Sequence, residues 1–278
     1  PSITVMCMGD HDLYNYIYEE PVFSEAVVRA AKENIDHLCV HIYYDQSVTG
    51  PLEGMPYQMG SAFARLKAMM DRVSPERSVK VFLSEWNPES NTNVGGNMGQ
   101  ALEAAQMFHV MERASAQGIM EFATPCQLCV NVDKYRGFWL RAAMVQINNH
   151  SAWTNPMYHV NRMYSRLRQP NLLDLEWDQP LRSSNVFDGY EFPALDVIAT
   201  AAEDKKTVVL KICNNSDTED FALEFTLAGG TAGKTTLHEV YAPDILAMNS
   251  QFTPDTVQEQ ISELPHQEGH ILYTSKRG

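Results

Sequence analysis

The sequence predicts an α/β region followed by an all-β region. Up to about residue 170, short apolar runs alternate with amphipathic helical stretches, which is typical of βα units in a parallel sheet. Beyond Gln169 and Pro170, short strand-like runs follow one another with turn signals between them, and this succession favours an antiparallel sandwich. Two regions are therefore expected, residues 1–170 and residues 171–278, and the sequence contains no internal repeat.

The first βα unit is predicted at the start of the chain. The β-branched run ITVMCM (3–8) predicts a strand, and a helix follows from Ser24, whose hydroxyl is a suitable N-cap, towards Ile35. HLCVHIYY (37–44) predicts the second strand. Because a helix separates the two strands, they are expected to lie parallel.

Two further units follow in the same pattern. A helix is predicted near 58–72 and a strand at VKVFLSEW (79–86). The next helix, over 99–117, ends at Gly118, a position that glycine commonly takes after a helix, and IMEFATP (119–125) predicts the fourth strand. Four βα units occupy about 170 residues, whereas a complete (β/α)₈ barrel typically takes about 250. The pattern alone leaves a small open α/β sheet and half a barrel as alternatives.

The all-β region contains a predicted hairpin. LDVIATAAE (195–203) and KTVVLKICNN (206–215) flank a polar turn between Glu203 and Lys206. Three more strand-like runs follow: DFALEFTLAGG (220–230), KTTLHEVYAP (234–243) and GHILYTS (269–275).

Composition argues against several classes of partner. The 35 acidic residues outnumber the 21 basic ones, and the formal charge of −14 repels nucleic-acid phosphates and anionic membrane surfaces. No apolar run approaches the roughly 20 residues that span a bilayer, and Asp10 stands where a signal peptide would be apolar. Five cysteines, mostly in apolar runs, indicate reduced and buried thiols. The sequence thus predicts no nucleic-acid or membrane partner, and a protein that is cytoplasmic or stripped of its leader.

Polar and aromatic residues follow each predicted strand of the first region. The strand ends are Gly9-Asp10-His11, His41 to Asp45, Ser84 to Asn87, and Pro125 to Gln127. Since ligands collect at the carboxyl ends of parallel strands, these residues are expected to share one rim. Aromatic rings stack on the apolar face of a sugar, and amides and carboxylates bind its hydroxyls. The rim is therefore predicted to be a carbohydrate site.

Glu85 is the most specific position on this rim. The apolar run VKVFL leads directly into it, which would deliver its carboxylate to the rim beside Trp86. A retaining glycosidase needs such a carboxylate as the nucleophile at the anomeric carbon. The alternative is a structural Glu bound to a neighbouring backbone group or Arg.

The segments around these residues resemble glycoside hydrolase family 51, the α-L-arabinofuranosidases. VKVFLSEWN (79–87) resembles the nucleophile strand of that family, HLCVHIYY its strand-six segment ending in a His-x-Tyr pair, and TPCQLCVNV (124–132) its strand-eight segment. LDVIATA, KTVVLKICNNS and ILAMNSQFTPDTV are similar to its C-terminal β-sandwich. The order of these segments implies a partial (β/α)₈ barrel, strands five to eight, in residues 1–170, followed by a jelly-roll-like β-sandwich in residues 171–278.

The resemblance also implies roles for individual residues. Glu85 matches the catalytic nucleophile, and His41 and Tyr43 match the pair that lies near the nucleophile and the furanose. Gln127 matches the amide of the sugar pocket, and Trp86, which follows the nucleophile as in the family, is expected to shape the rim. For His41 the alternative is a core histidine whose ring is satisfied by backbone groups.

Other polar residues are expected to have no role in the chemistry. Asp10 and Asp45 match no position of the family and are interpreted as solvated loop carboxylates. Cys126 and Cys129 form a CxxC pair, but no second pair stands at zinc-site spacing, so they are interpreted as packing cysteines. The nine histidines show no HExxH spacing, and neither a metal nor a cofactor is predicted.

The second carboxyl group of a retaining glycosidase is missing from the sequence. Two carboxyl groups about 5 Å apart are needed, and the family takes its acid/base from a Gly-Asn-Glu motif on strand four. No Asn-Glu dipeptide occurs in the 278 residues. A second polypeptide that completes the barrel is the favoured explanation, because half a barrel exposes two sheet edges and an apolar face. A cloned fragment and an inactive truncated protein are the alternatives.

The predicted function is therefore a retaining glycosidase that releases terminal α-L-arabinofuranosyl residues from arabinose-containing oligo- or polysaccharides. A catalytically inactive carbohydrate-binding or assembly subunit is one alternative, and a related β-xylosidase or endoglucanase is another. The expected partners are an arabinofuranose-containing oligosaccharide and the second polypeptide, and the resemblance implies a homo-oligomer. After Glu-Trp-Asn, the family continues with an aromatic-rich segment, whereas this sequence has Asn87-Pro88-Glu89-Ser90. The resemblance therefore does not extend to the leaving-group subsite.

Overall fold

The first region of the chain is a parallel sheet with helices on one face. The computed structural model describes residues 3–11, 13–31, 33–45, 53–89, 96–134, 143–230, 233–267 and 270–277. Four parallel strands pair in sequence order: β1 (Met6–Met8), β2 (His37–Asp45), β3 (Lys80–Glu89) and β4 (Met120–Pro125). The predicted α/β class of this region is confirmed, although β1 is shorter than the run at 3–8.

A 3-10 helix and three α-helices connect and cover these strands. They are the 3-10 helix (Leu13–Ile17), α1 (Val22–Ala31), α2 (Met55–Val73) and α3 (Met98–Ala116). Gly118 has a φ of 71°, so the predicted glycine after α3 is confirmed. The helix predicted near 58–72 begins earlier, after Gly54, which has a φ of 78°. In the described residues, no helix combines the length and the apolar character that crossing a membrane requires.

The start of α1 differs from the prediction. Ser24 lies inside the first turn and is not the N-cap. The Asp10 carboxylate accepts hydrogen bonds from the Ser24 backbone N–H and from its hydroxyl, both at 3.1 Å. Asp10 is therefore not a solvated loop carboxylate, since it binds the amino end of a helix that attracts negative charge. The side chain of Asp45 lies outside the described residues.

The contact between Asp10 and α1 yields a stability prediction. The Asp10→Ala variant is expected to lower the free energy of unfolding by about 1 kcal/mol, because the first turn of α1 loses its carboxylate acceptor. Urea unfolding followed by circular dichroism measures this change. The exposed Glu76→Ala variant, which also removes one negative charge, is the control and should change stability by less. Equal effects would contradict a capping role for Asp10.

The two faces of the parallel sheet have different surroundings. Side chains such as Leu38, Val40 and Leu83 are fully buried beneath the helices. On β1 and β4, Met8 and Phe122 remain 49% and 43% exposed. Exposed large apolar side chains on a sheet are a feature of surfaces that bind another part of a protein.

A small sheet and a helix that were not predicted follow β4. The sheet comprises β5 (Cys129–Asn131), β6 (Val145–Ile147) and β7 (Ala152–Thr154), and α4 follows at Pro156–Arg166. Asn155 is the N-cap of α4, where its side chain accepts from the Tyr158 N–H, and Pro156 occupies the first turn. The expected domain boundary at residue 170 falls between α4 and the next strand.

The rest of the chain is built from antiparallel strands, which confirms the predicted all-β class. The hairpin flanking Glu203 to Lys206 is present, with Lys205 in a left-handed conformation (φ 57°). The strands are β8 (Asn171–Leu173), β9 (Leu181–Ser183), β10 (Glu191–Pro193), β11 (Leu195–Ala201), β12 (Val208–Asn214), β13 (Phe221–Phe225), β14 (Thr235–Val240), β15 (Glu259–Leu264), β16 (His266–Gln267) and β17 (His270–Ser275). They pair as β12-β11-β8, β10-β9, β13-β17-β16 and β14-β15.

A buried ionic cluster joins α3 to this β-rich region. Asp196 of β11 lies 2.8 Å from Nδ1 of His109, and both side chains are fully buried. Its carboxylate also accepts two hydrogen bonds from the Arg113 guanidinium, at 2.5 and 3.0 Å. Burial opposes the charge on His109, but Cys213 and Asp196 beside it raise its pKa to about 9. Burial likewise opposes the Asp196 charge, but His109 and Arg113 hold the pKa of this carboxyl well below its usual range.

Candidate active site

Glu85 lies where the register of the parallel sheet is irregular. Regular pairing of β2 with β3 is interrupted after Val40, and pairing resumes with His41 opposite Glu85. The Glu85 side chain is 45% exposed. A carboxylate that is held by a strand and still open to solvent can meet a ligand, as the prediction for Glu85 requires.

Tyr43 contacts the Glu85 carboxylate directly. Its hydroxyl donates a hydrogen bond of 2.6 Å to Oε2 of Glu85. Burial raises the pKa of the Tyr43 phenol, and the neighbouring Cys126 thiol and Glu85 carboxylate raise it further. Tyr43 therefore stays protonated and acts as a donor that holds one oxygen of the carboxylate.

His41 lies beside the same carboxylate oxygen. Its Nδ1 is 3.7 Å from Oε2 of Glu85, which is an ion-pair distance but too long for a hydrogen bond. Within the described residues this buried Nδ1 has no hydrogen-bond partner. Backbone groups of those residues therefore do not satisfy Nδ1, as they would in a core histidine. The ring of His11, at the end of β1, lies 5.5 Å from that of His41. Residues from β2 and β3 thus meet at one rim, with the end of β1 beside them.

Gln127 lies just past the end of β4. The Cys126 N–H donates to the Trp86 carbonyl at 2.9 Å, which places this end of β4 against β3. The Gln127 side-chain oxygen is buried and has no hydrogen-bond partner among the described residues. Its amide is thus held next to the strand that carries Glu85, although no direct contact with Glu85 is observed in the described part of the chain.

The expectation that Trp86 shapes the rim is wrong. Trp86 is only 1% exposed, and its ring packs edge-to-face against Phe108 of α3 at 5.3 Å. Successive side chains of a strand point to opposite faces of the sheet, so the neighbour of an open Glu85 turns towards the helices. Trp86 contributes to the core beneath the site.

Asn87 belongs to the predicted strand end, but the sequence assigned it no role in the site. It is 2% exposed, and its side-chain amide donates to the Cys126 carbonyl and accepts from Gln100 Nε2 at 2.9 Å. The Glu-Trp-Asn order places Asn87 two residues after Glu85 on β3, but no sequence pattern indicates its partners on β4 and α3.

The cysteines differ in exposure. All five are free thiols, with Cys39 and Cys213 buried, whereas Cys129 is exposed and so departs from the expected burial.

Across the described ranges no group of three or more His, Cys, Asp or Glu side chains is arranged to hold a metal ion.

The sequence matches one family model. Residues 78–276 match the model described as the α-L-arabinofuranosidase C-terminal domain. That range includes Glu85 and Gln127 as well as the strands of the all-β region. No curated protein matches the chain.

Solved structures of similar fold cover nearly the whole chain. The glycoside hydrolase family 51 arabinofuranosidase from Xanthomonas axonopodis pv. citri matches 100% of this chain with a TM-score of 0.78 at 18% identity. The family 51 α-L-arabinofuranosidases from Thermotoga petrophila RKU-1 and Bifidobacterium longum each match 99%, with TM-scores of 0.79 and 0.80 at 18% and 14% identity. At such identities the likeness shows the fold alone. This chain spans only 56–57% of the length of those three proteins.

Proposed function

The chain belongs to the α-L-arabinofuranosidase C-terminal domain family, and on that premise we propose that it supplies the nucleophile of a retaining glycosidase. The reaction releases terminal α-L-arabinofuranosyl residues from arabinose-containing oligo- or polysaccharides. The observation that carries the proposal is the Glu85 carboxylate, half-exposed at a strand end and held by the Tyr43 phenol at 2.6 Å. Its chemistry is that of a nucleophile at an anomeric carbon.

The contacts of Glu85 support Oε1 as the attacking oxygen in this proposal. Oε2 accepts the hydrogen bond from Tyr43 and lies nearest to His41. Oε1 accepts no hydrogen bond from the described residues, so it is the oxygen available to bond the anomeric carbon. As Oε1 bonds the anomeric carbon, the bond to the leaving oxygen breaks and the acid/base carboxyl group gives that oxygen its proton. The acid/base then takes a proton from the water that hydrolyses the glycosyl-enzyme.

His41 and Gln127 would bind and orient the sugar beside this carboxylate. Both side chains carry a buried polar atom without a hydrogen-bond partner in the described chain, Nδ1 of His41 and Oε1 of Gln127. Because unsatisfied buried polar groups are costly, they are expected to gain partners when a polyol ligand enters and the site closes around it.

The acid/base carboxyl group would come from a second polypeptide. In this proposal residues 1–170 form half of a (β/α)₈ barrel and residues 171–278 a β-sandwich. The exposed side chains of Met8 and Phe122 on the parallel sheet, and the greater length of the similar proteins, support an additional part that covers this face.

We further propose a cytoplasmic homo-oligomer, as the composition and the family suggest.

Intact-mass spectrometry of purified, active material tests the second polypeptide. We expect the 31.4 kDa chain together with another chain that carries the missing Glu. A folded and active sample containing only the 31.4 kDa species would contradict this part of the proposal.

Tyr43→Phe tests the contact that carries the proposal. The variant is expected to lower kcat about 10- to 100-fold, because a hydrogen bond to a charged group contributes about 1.5–3 kcal/mol. Steady-state kinetics with an aryl α-L-arabinofuranoside measure the change. Tyr273→Phe is the matched control, since Tyr273 donates a 2.7 Å hydrogen bond to the Glu239 carboxylate in the β-rich region. Unchanged kcat in Tyr43→Phe, or an equal loss in both variants, would contradict the assignment.

A catalytically inactive carbohydrate-binding or assembly subunit is the second candidate. The sequence contains no Asn-Glu dipeptide and therefore lacks the family's acid/base motif, which favours an inactive subunit if this chain acts by itself. If no carboxyl group of any chain in the purified material approaches Glu85, binding without hydrolysis is the better account. Activity on aryl β-xylosides or β-glucans, with none on arabinofuranosides, would instead indicate a related β-xylosidase or endoglucanase.

A further inference from the structure

Gln100, at the start of α3, binds the end of the nucleophile strand. It is fully buried, and its Nε2 donates to Oδ1 of Asn87 and to the Pro88 carbonyl, each at 2.9 Å. Asn87 and Pro88 lie two and three residues after Glu85. One amide group therefore holds two successive residues of β3 just beyond the carboxylate.

Asn87 extends this contact to β4. Its side-chain Nδ2 donates to the Cys126 carbonyl, while the Cys126 N–H donates to the Trp86 carbonyl. Both the N–H and the carbonyl of Cys126 are thus bound to β3. Because Cys126 directly precedes Gln127, these bonds also fix the start of Gln127. The Cys126 thiol also lies close enough to the Tyr43 phenol to raise its pKa, and Tyr43 holds Glu85.

The start of α3 is itself fixed by the β-rich region. The N–H groups of Met98 and Gly99 donate to the carbonyls of Ala247 and Ile245, at 2.8 and 2.9 Å. The Gln100 N–H is satisfied by the side chain of Asn97. Gln100 therefore stands on a helix end whose position is set by hydrogen bonds to another part of the chain.

We propose that Gln100 and Asn87 are positioning residues, which together fix Cys126 and so align Gln127 and Tyr43 with Glu85. This inference rests on the proposed function of Glu85 as the nucleophile. Neither amide is expected to touch the sugar, because both side chains are buried behind the rim. Their effect is on geometry, and small misplacements of reacting groups lower turnover strongly.

Gln106→Met provides a matched control for Gln100→Met. Gln106 is also fully buried on α3, and its Nε2 donates to Asn215 Oδ1 at 2.9 Å. Each change removes the donors of a buried amide from the same helix while keeping its approximate volume. Gln100 forms the hydrogen bonds to β3 described above, whereas the Gln106 amide binds Asn215. Comparing the two variants therefore separates an effect on positioning from a general loss of stability.

Kinetics of the assembled enzyme are the first readout. Gln100→Met is expected to lower kcat about tenfold, with a smaller change in KM, because alignment and not binding is lost. Gln106→Met is expected to lower the unfolding midpoint about as much as Gln100→Met does, but to leave kcat within about twofold of the wild-type value. The Asn87→Leu/Gln100→Met double variant should lose little more kcat than either single variant, since the two residues act as a unit. Additive losses, or an equal loss in Gln106→Met, would overturn the proposal.

Thiol labelling is a second readout that needs no turnover. Iodoacetamide labelling of the full chain gives the rate at Cys126 relative to the exposed Cys129, and fragment-ion mass spectrometry assigns the label, since both cysteines lie on one tryptic peptide. Gln100→Met should raise this ratio several-fold, because Cys126 loses its fixed position, and Gln106→Met should not. An unchanged ratio in Gln100→Met, or an equal rise in both variants, would overturn the proposal. If the wild-type assembly is inactive, the function proposed for Glu85 fails, and the labelling ratio still decides whether Gln100 positions Cys126.

Discussion

Glu85→Ala in the assembled protein is expected to abolish turnover of an aryl α-L-arabinofuranoside. Removal of a catalytic nucleophile commonly costs several orders of magnitude in kcat, so a loss of at least about 10⁴-fold is predicted. The cause is the loss of Oε1, without which no bond to the anomeric carbon can form. Initial rates with the aryl substrate, at equal concentrations of folded protein, measure the effect.

Glu121→Ala is the matched control for this substitution. Glu121 lies on the neighbouring strand β4 and has a similarly exposed side chain, but it pairs with Lys80 and His37 and not with Tyr43. Its removal should leave most of the activity. Near wild-type activity in Glu85→Ala would refute the nucleophile assignment, and an equal loss in Glu121→Ala would indicate a general disturbance of the sheet.

Asp196→Ala is expected to have the largest effect on stability. The variant leaves His109 and Arg113 buried or partly buried without their carboxylate, and removing one partner of a buried ion pair costs about 3–5 kcal/mol. Urea unfolding followed by fluorescence measures the loss. Asp217→Ala is the control, because the Asp217 carboxylate is half-exposed, lies 3.4 Å from Arg182 and should contribute less than about 1 kcal/mol. Equal losses would show that the buried cluster contributes no more to the free energy of unfolding than an exposed ion pair.

The same cluster predicts how stability changes with pH. The pKa of His109 is raised to about 9, above its ordinary value of 6.5, so its contribution is complete below pH 6.5 and is lost as the pH rises through about 9. Asp196→Asn removes the carboxylate and should flatten the decline in unfolding free energy over this interval. A decline of the same slope in Asp196→Asn would assign it to other groups.

Long periodic elements could be predicted, whereas contacts between distant residues could not. The runs that became β2, β3 and β4 are apolar and bounded by helices, so their patterns indicate their position. The acceptor that caps α1 is not encoded locally, because Asp10, which binds the Ser24 N–H, lies 14 residues away in sequence. Strands β5 to β7 have three residues each, too few to show a period.

The site was predictable to the same extent. A polar residue at a strand end indicates the rim, which places Glu85 and Tyr43 correctly relative to each other. Trp86 is adjacent to Glu85 in sequence, but side chains alternate along a strand, so its ring lies on the opposite face of the sheet and not on the rim. The contact of Gln100 with Asn87 depends on how α3 docks on the sheet, and no local pattern encodes that docking.

Trapping the covalent intermediate tests the central claim most directly. The assembled protein is incubated with an aryl arabinofuranoside whose 2-hydroxyl is replaced by fluorine, which slows hydrolysis of the glycosyl-enzyme, and its peptides are then mapped by mass spectrometry. The account predicts one sugar adduct, on the peptide that contains Glu85, and none in Glu85→Ala. An adduct on a different residue, or on the proposed second polypeptide, would contradict it.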